Sequence, residues 1–186
     1  MLHDGGMDVL GVVLGAGAGT RYGGPKALAH EGLWLRTAVA ALSDGGCPEV
    51  LVVLGAQAQR AAELVPVGAC TVVAREWATG MSASLRAGLA AAESRSASHV
   101  LLHLVDTPDV GAEVVERVLG SGAELARAGY HGRPGHPVLL GRRHWAAVVE
   151  SATGDYGARD FLRGRPDVVL VECGDLATGR DHDVPD

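Results

Sequence analysis

Short apolar runs alternate with longer one-sided stripes along most of the chain. Val9–Leu14, Val50–Leu54, Cys70–Ala74, Val100–Val105 and Val168–Val171 are rich in Val and Leu and are bounded by Gly, Asp or Pro. Strands of a parallel sheet read this way when helices cover both faces. Between them, Leu33–Leu42, Ala56–Leu64, Met81–Glu93 and Ala112–Leu119 carry helical spacing. Leu85 and Leu89 are one turn apart, and Val114, Val115, Val118 and Leu119 form a single stripe. Strand and helix in alternation predict an α/β fold in three layers, α/β/α, around a mainly parallel sheet. After residue 128 the rhythm changes. Gly129–Gly135 is turn-rich, His136–Leu140 reads as a strand and Arg142–Val149 as a helix. This part is expected to be an excursion over the substrate end of the sheet. No internal repeat, linker or low-complexity stretch divides the chain, so residues 1–186 read as one domain.

Composition narrows the class. The chain is 47% hydrophobic and 20% charged, an ordinary globular balance. Its net charge is −6 and it has no basic tail, which argues against a nucleic-acid partner. Cys47, Cys70 and Cys173 are widely spaced without a CxxC pair, so neither a zinc ribbon nor a disulfide framework is expected. No apolar run is long enough to span a membrane. Met1–Asp8 lacks the charged-then-apolar plan of a signal peptide. A cytoplasmic enzyme is the simplest reading.

One count changes the picture. Of 16 basic residues only Lys26 is a lysine. It closes a glycine-rich string, Leu14-Gly15-Ala16-Gly17-Ala18-Gly19-Thr20-Arg21-Tyr22-Gly23-Gly24-Pro25-Lys26, that follows the first strand directly. A loop in that place lies at the carboxyl end of the sheet, where open α/β folds bind ligands. Glycines let backbone N–H groups approach phosphate oxygens, and Arg21 and Lys26 add charge. Two familiar loops are excluded. Pro25 before Lys26 and Ala27 after it break the Walker pattern. Thr20 and Tyr22 stand where the dinucleotide fingerprint needs its third glycine, and the second strand ends in Leu54-Gly55-Ala56 without an acid for a ribose. The competing reading is a flexible surface turn.

The string resembles the opening motif of sugar-nucleotide and cofactor nucleotidyltransferases, matched by Leu14, Gly17, Gly19, Arg21, Gly23 and Lys26. Further strings are similar to the molybdenum cofactor cytidylyltransferase branch and its near relatives. They are Gly80-Met81-Ser82-Ala83-Ser84-Leu85-Arg86-Ala87-Gly88, Leu104-Val105-Asp106-Thr107-Pro108, Gly135-His136-Pro137-Val138, Gly154-Asp155-Tyr156-Gly157-Ala158-Arg159 and the ending Asp181–Asp186. They occur in order over nearly the whole chain. The resemblance implies a Rossmann-like sheet of the nucleotidyltransferase type. It also implies transfer of CMP from CTP to molybdopterin with release of pyrophosphate, dependent on Mg²⁺. The partners it implies are a nucleoside triphosphate, a small phosphorylated acceptor, and a molybdoenzyme or cofactor chaperone.

In such a reaction two anions must be brought together, so positioning and cations carry the catalysis. Lys26 and Arg21 are expected on the triphosphate, with Leu14, Gly15, Ala16, Gly17, Gly19 and Thr20 lining it. Mg²⁺ prefers one or two carboxylates. Asp106 ends a buried strand at the ligand edge and suits the first; an Asx turn before Pro108 is its structural alternative. By resemblance Asp183 is the second ligand, with Asp181 as runner-up, against a solvated tail. Ser82 and Ser84 open a helix, where they either meet the nucleotide or cap the helix. His136, Asp155 and Arg159 are acceptor-site candidates, against a packed strand histidine and a helix cap for the first two. His99 and His103 share a strand face but lack a visible third ligand and are read as structural. Ala16 matches the cytidylyl pattern of the resembled family, whereas Gly15 departs from both its cytidylyl and guanylyl patterns. Three other readings stay open: transfer to a different small phosphate, a non-catalytic cofactor carrier, and a redox reaction on a heteroaromatic substrate.

Overall fold

The computed structural model describes residues 7–183. Its strands are β1 (Val9–Gly15), β2 (Glu49–Leu54), β3 (Cys70–Val73), β4 (His99–Leu104), β5 (Leu125–Tyr130), β6 (Arg133–Gly141) and β7 (Val169–Glu172). Its helices are α1 (Ala29–Asp44), α2 (Ala58–Ala62), α3 (Met81–Glu93), α4 (Ala112–Leu119), α5 (Trp145–Ser151) and α6 (Arg159–Leu162). One seven-stranded sheet runs in the order β3-β2-β1-β4-β6-β5-β7. β1 lies between β2 and β4 and is parallel to both. β6 is the exception, antiparallel to β4 and to β5.

The central apolar runs become strands because each can be covered twice. Every residue of β1 is buried. Odd positions such as Val9 and Val13 pack with Leu35 and Leu42 of α1 and Val115 of α4. Even positions such as Leu10 and Val12 pack with Leu85 and Leu89 of α3 and Trp145 of α5. The expected three-layer α/β/α architecture, with a mostly parallel sheet, is therefore present.

Several local expectations need correction. The Cys70–Ala74 and Val168–Val171 runs were expected as buried strands. Both form strands, but β3 and β7 lie at the two edges of the sheet and are largely exposed. A Val-rich run is the same string at an edge as in the centre. β5 and α6 are additional. β5 is a small-residue strand, Leu125-Ala126-Arg127-Ala128-Gly129-Tyr130, whose Arg interrupts the apolar signal. The turn-rich region holds the β5–β6 hairpin: His131 and Gly132, both at positive φ, turn the chain. The Ala56–Leu64 helix shortens to Ala58–Ala62, because Gln57 is left-handed. Within α1, His30, Glu31 and Gly32 are non-helical, so regular helix begins at Leu33, as predicted.

His103 shares its face of β4 with Leu101 and is fully buried, and neither ring nitrogen has a partner among the described residues. Burial pushes its pKa from 6.5 down to about 4, against a smaller upward pull from Asp109. The unfolded chain therefore binds more protons than the folded one between those two values. This contribution to stability is complete above 6.5 and is lost as pH falls toward 4, by about 3 kcal/mol. The urea midpoint of the wild type should fall on acidification through that window. His103→Leu, which removes no hydrogen bond, should flatten the dependence; an unchanged pH profile in that variant would refute the assignment.

Candidate active site

β1 ends at Gly15 and the chain crosses the carboxyl ends of the strands. The loop is closed by its own backbone: Gly19 O accepts the N–H of Gly23 at 2.9 Å and of Gly24 at 3.1 Å. Gly19 has φ +58°, and a Cβ there would lie 1.9 Å from Gly24 O, so this turn admits glycine alone. The loop forms one wall of a cleft of about 1050 Å³. Leu14, Gly15, Ala16, Gly17, Gly19, Thr20, Arg21 and Lys26 all line it.

The same cleft collects most of the remaining predicted residues. Asp106, Asp183, Ser84, His136, Asp155 and Arg159 line it, and so does Asp181. Ser82 is the exception: it does not line the cleft, is 1% exposed, and its Oγ has no partner among the described residues. Its N–H is also engaged, donating to Gly154 O at 2.9 Å. Helical geometry explains the split, since residues two apart on a helix face different ways. The Asp155 carboxylate accepts from Met81 N at 3.4 Å, at the first residue of α3, so it reaches both the helix start and the cleft.

Lys26 is the centre of charge. Its Nζ donates to Asp106 Oδ2 at 2.6 Å and to Asp183 Oδ1 at 2.8 Å. Arg21 Nη1 stands 3.7 Å from the other Asp183 oxygen. Lys26 and Asp106 are largely buried, with side chains 13% and 17% exposed. Burial alone lowers the Lys26 pKa, but hydrogen bonds and charge from the two aspartates outweigh it and the net shift is upward. Conversely, the Lys26 hydrogen bond holds Asp183 below its ordinary value. Asp181 moves up, through desolvation and the neighbouring Asp106 and Asp183 carboxylates.

The acidic tail is anchored rather than frayed over its described part; Val184–Asp186 lie outside the described residues. Asp109 Oδ2 accepts from Thr178 N and Thr178 Oγ1, both at 2.6 Å, and from Gly179 N at 3.3 Å. Gly179 lies against the Tyr130 ring, leaving no room for a side chain. His182 N donates to Asp106 O at 3.0 Å, and its ring packs 5.2 Å from Trp34. These contacts carry the tail back to the end of β4 and set Asp183 beside Lys26.

At the other end of the cleft are groups that local patterning did not reveal. Arg127 of β5 lines it, with Nε and Nη2 donating to Gly135 O at 3.4 and 3.3 Å. Burial lowers its pKa, and the nearby Arg159 charge adds to this. His136 is half-buried, and desolvation with the Arg127, His103 and Arg159 charges pushes its pKa down to about 3. It is neutral at pH 7. The signal for Arg127 was a lone cation between alanines just before a turn, legible only once the hairpin is known.

Among the described residues no group of three or more His, Cys, Asp or Glu could hold a metal. Asp106 and Asp183 converge on one cationic centre, however, and two carboxylates are a donor set that Mg²⁺ accepts when water and phosphate complete its shell. No described helix is long and apolar enough to cross a membrane.

Residues 11–169 match the MobA-like NTP transferase domain. The chain belongs to this family. A relative within reach of the whole chain is nicotine blue oxidoreductase of Paenarthrobacter nicotinovorans, 41% identical over 191 residues that cover 94% of this chain and 92% of that protein. The crystal structure of Rv0371c from Mycobacterium tuberculosis H37Rv superposes with a TM-score of 0.75 at 26% identity, covering 90% of this chain and 88% of that one. Its complex with manganese has the same fold, with a TM-score of 0.71 at 24% identity over 90% and 89% of the two chains. The fold of the nucleotidyltransferase type is thus shown, and of the family expected from the strings the coarser part, MobA-like NTP transferase, is shown.

The anchoring of the tail is open to test. Asp109→Ala should raise amide hydrogen exchange across residues 176–183 by about tenfold or more, since three hydrogen bonds to one carboxylate are removed. Exchange in β1 and β4 should stay as in the wild type. Unchanged protection of the tail would show that Asp109 does not hold it.

Proposed function

We propose that this protein transfers a nucleotidyl group from a nucleoside triphosphate to a small phosphorylated acceptor, with CTP and molybdopterin as the favoured pair. The observation that carries the reading is Lys26. The chain's one lysine stands at the end of a glycine loop and is bracketed by two carboxylates at 2.6 and 2.8 Å. An acceptor phosphate oxygen would attack the α-phosphorus, and the bond to the leaving pyrophosphate would break. A phosphomonoester is already anionic near neutral pH, so no general base is needed. Lys26 and Arg21 would hold the triphosphate oxygens, and the loop N–H groups from Gly17 to Thr20 would line them. Asp106 and Asp183 would hold Mg²⁺, which supplies a Lewis acid for the α-phosphate and shields the incoming anion. Ala16 is the feature that favours CTP.

A second reading has its own support. The relative at 41% identity is named an oxidoreductase acting on nicotine blue. The cleft would then hold a reduced nicotinamide dinucleotide that passes hydride to a heteroaromatic substrate, which also takes up a proton. Against it, β2 runs into Leu54-Gly55-Ala56 without a ribose-binding acid.

Thermal-shift measurements with CTP, GTP, UTP and reduced nicotinamide dinucleotides, with and without Mg²⁺, separate the two. A ligand at 100 times its Kd stabilises the protein by about 2.7 kcal/mol. A Mg²⁺-dependent rise with a triphosphate supports transfer, and a metal-independent rise with the nicotinamide alone supports the redox reading. Under transfer, Lys26→Ala and Asp106→Ala should each lower pyrophosphate release by about 100-fold or more. Wild-type turnover in Lys26→Ala would end the proposal.

A further inference from the structure

The acidic residues of this chain are not spread evenly over its cations. Arg95, Arg117, Arg143, Arg163 and Arg165 each have a carboxylate partner, at Glu49, Asp175, Glu124, Asp160 and Asp167. These are surface pairs, and the net charge of −6 leaves acids to spare. Inside the cleft the two metal-type aspartates are taken by Lys26. Arg127 and Arg159 line that cleft too, yet neither is in an ion pair among the described residues. Asp181 is close enough to feel the Arg159 charge, but no ion pair joins them among the described residues.

Arg127 is held in place for a ligand. It sits opposite Val138 in the β5–β6 ladder, and Val138 is itself part of the cleft lining, so the guanidinium rises from the floor. Among the described residues its hydrogen-bond acceptor is the Gly135 carbonyl, shared by Nε and Nη2, which leaves other N–H donors of the fork unused there. A half-buried guanidinium beside a like charge is disfavoured unless an anion joins them. His136 beside them is neutral at pH 7 and can hydrogen-bond without adding charge.

We propose that Arg127 and Arg159 form a second anion subsite, separate from the glycine loop, which takes the phosphomonoester dianion of the acceptor. Two guanidinium forks suit a group with several equivalent oxygens and a double charge better than a single carboxylate. The proposal deepens the transfer reading by assigning the acceptor's charged group. Its test needs no triphosphate, so either can fail without the other.

Phenyl phosphate serves as the probe, titrated calorimetrically into the full chain without nucleotide, with benzoate as the singly charged comparison. The wild type should bind phenyl phosphate at least about tenfold more tightly than benzoate. Arg127→Gln and Arg159→Gln should each weaken phenyl phosphate binding by about tenfold or more, and Arg127→Lys by less than Arg127→Gln. Lys26→Ala should leave phenyl phosphate binding in place. Arg159 is on a short surface helix, so R159Q decides the matter if R127Q does not fold. The proposal is overturned by any of three results: no phenyl phosphate binding in the wild type, wild-type affinity in R159Q, or loss of the probe in Lys26→Ala alone.

Discussion

The site depends on one ammonium group. Lys26 Nζ is shared by Asp106 and Asp183, which lie 80 and 157 residues further along the chain. Three elements meet there: the loop after β1, the end of β4 and the returning tail. Two carboxylates this close would repel each other without a cation between them, and a largely buried lysine would be costly without acids. Each part therefore makes the others tolerable. A compact ammonium fits between two oxygens at hydrogen-bond distance, where the planar fork used at every other basic position would present a different geometry.

The cleft has a charge order that follows from the sheet. β1 and β4 are adjacent and parallel, so the glycine loop and Asp106 emerge side by side at their carboxyl ends. β6 and β5 extend the same sheet, and they bring His136 and Arg127 to the cleft. Moving across the strands, the lining passes from backbone amides to the Lys26 and aspartate cluster and then to guanidinium groups without an ion pair among the described residues. A family built for triphosphates supplies the first part. The second part is where members of one fold can diverge in substrate, and the relative named as an oxidoreductase fits that pattern.

Legibility in the sequence followed the range of the interactions. The central strands were readable because burial on both faces leaves unbroken apolar runs, as in Val9–Leu14 and Val100–Val105. The placement of the loop residues and Asp106 at the cleft was readable because it depends on neighbours in the chain. β5 was missed because its alanines and Arg127 carry no apolar run, and only pairing with β6 makes it a strand. The exposure of β3 and β7 was invisible because a run does not encode its place in the strand order. Ser82 and Ser84 look alike in sequence, yet one is buried away from the cleft and the other lines it. Asp109 carries no local signal because its partners, Thr178 and Gly179, are 69 and 70 residues away.

The distance between Lys26 and Asp183 also bears on synthesis. A ribosome releases the glycine loop early and the second aspartate 157 residues later. At synthesis rates of about 5–20 residues per second, that interval lasts roughly eight to thirty seconds. Through it the nascent chain can build β1, β2 and β4 and pair Lys26 with Asp106, but the cation cluster lacks its last member. The charge balance of the cleft is thus completed only after most of the sheet has been made.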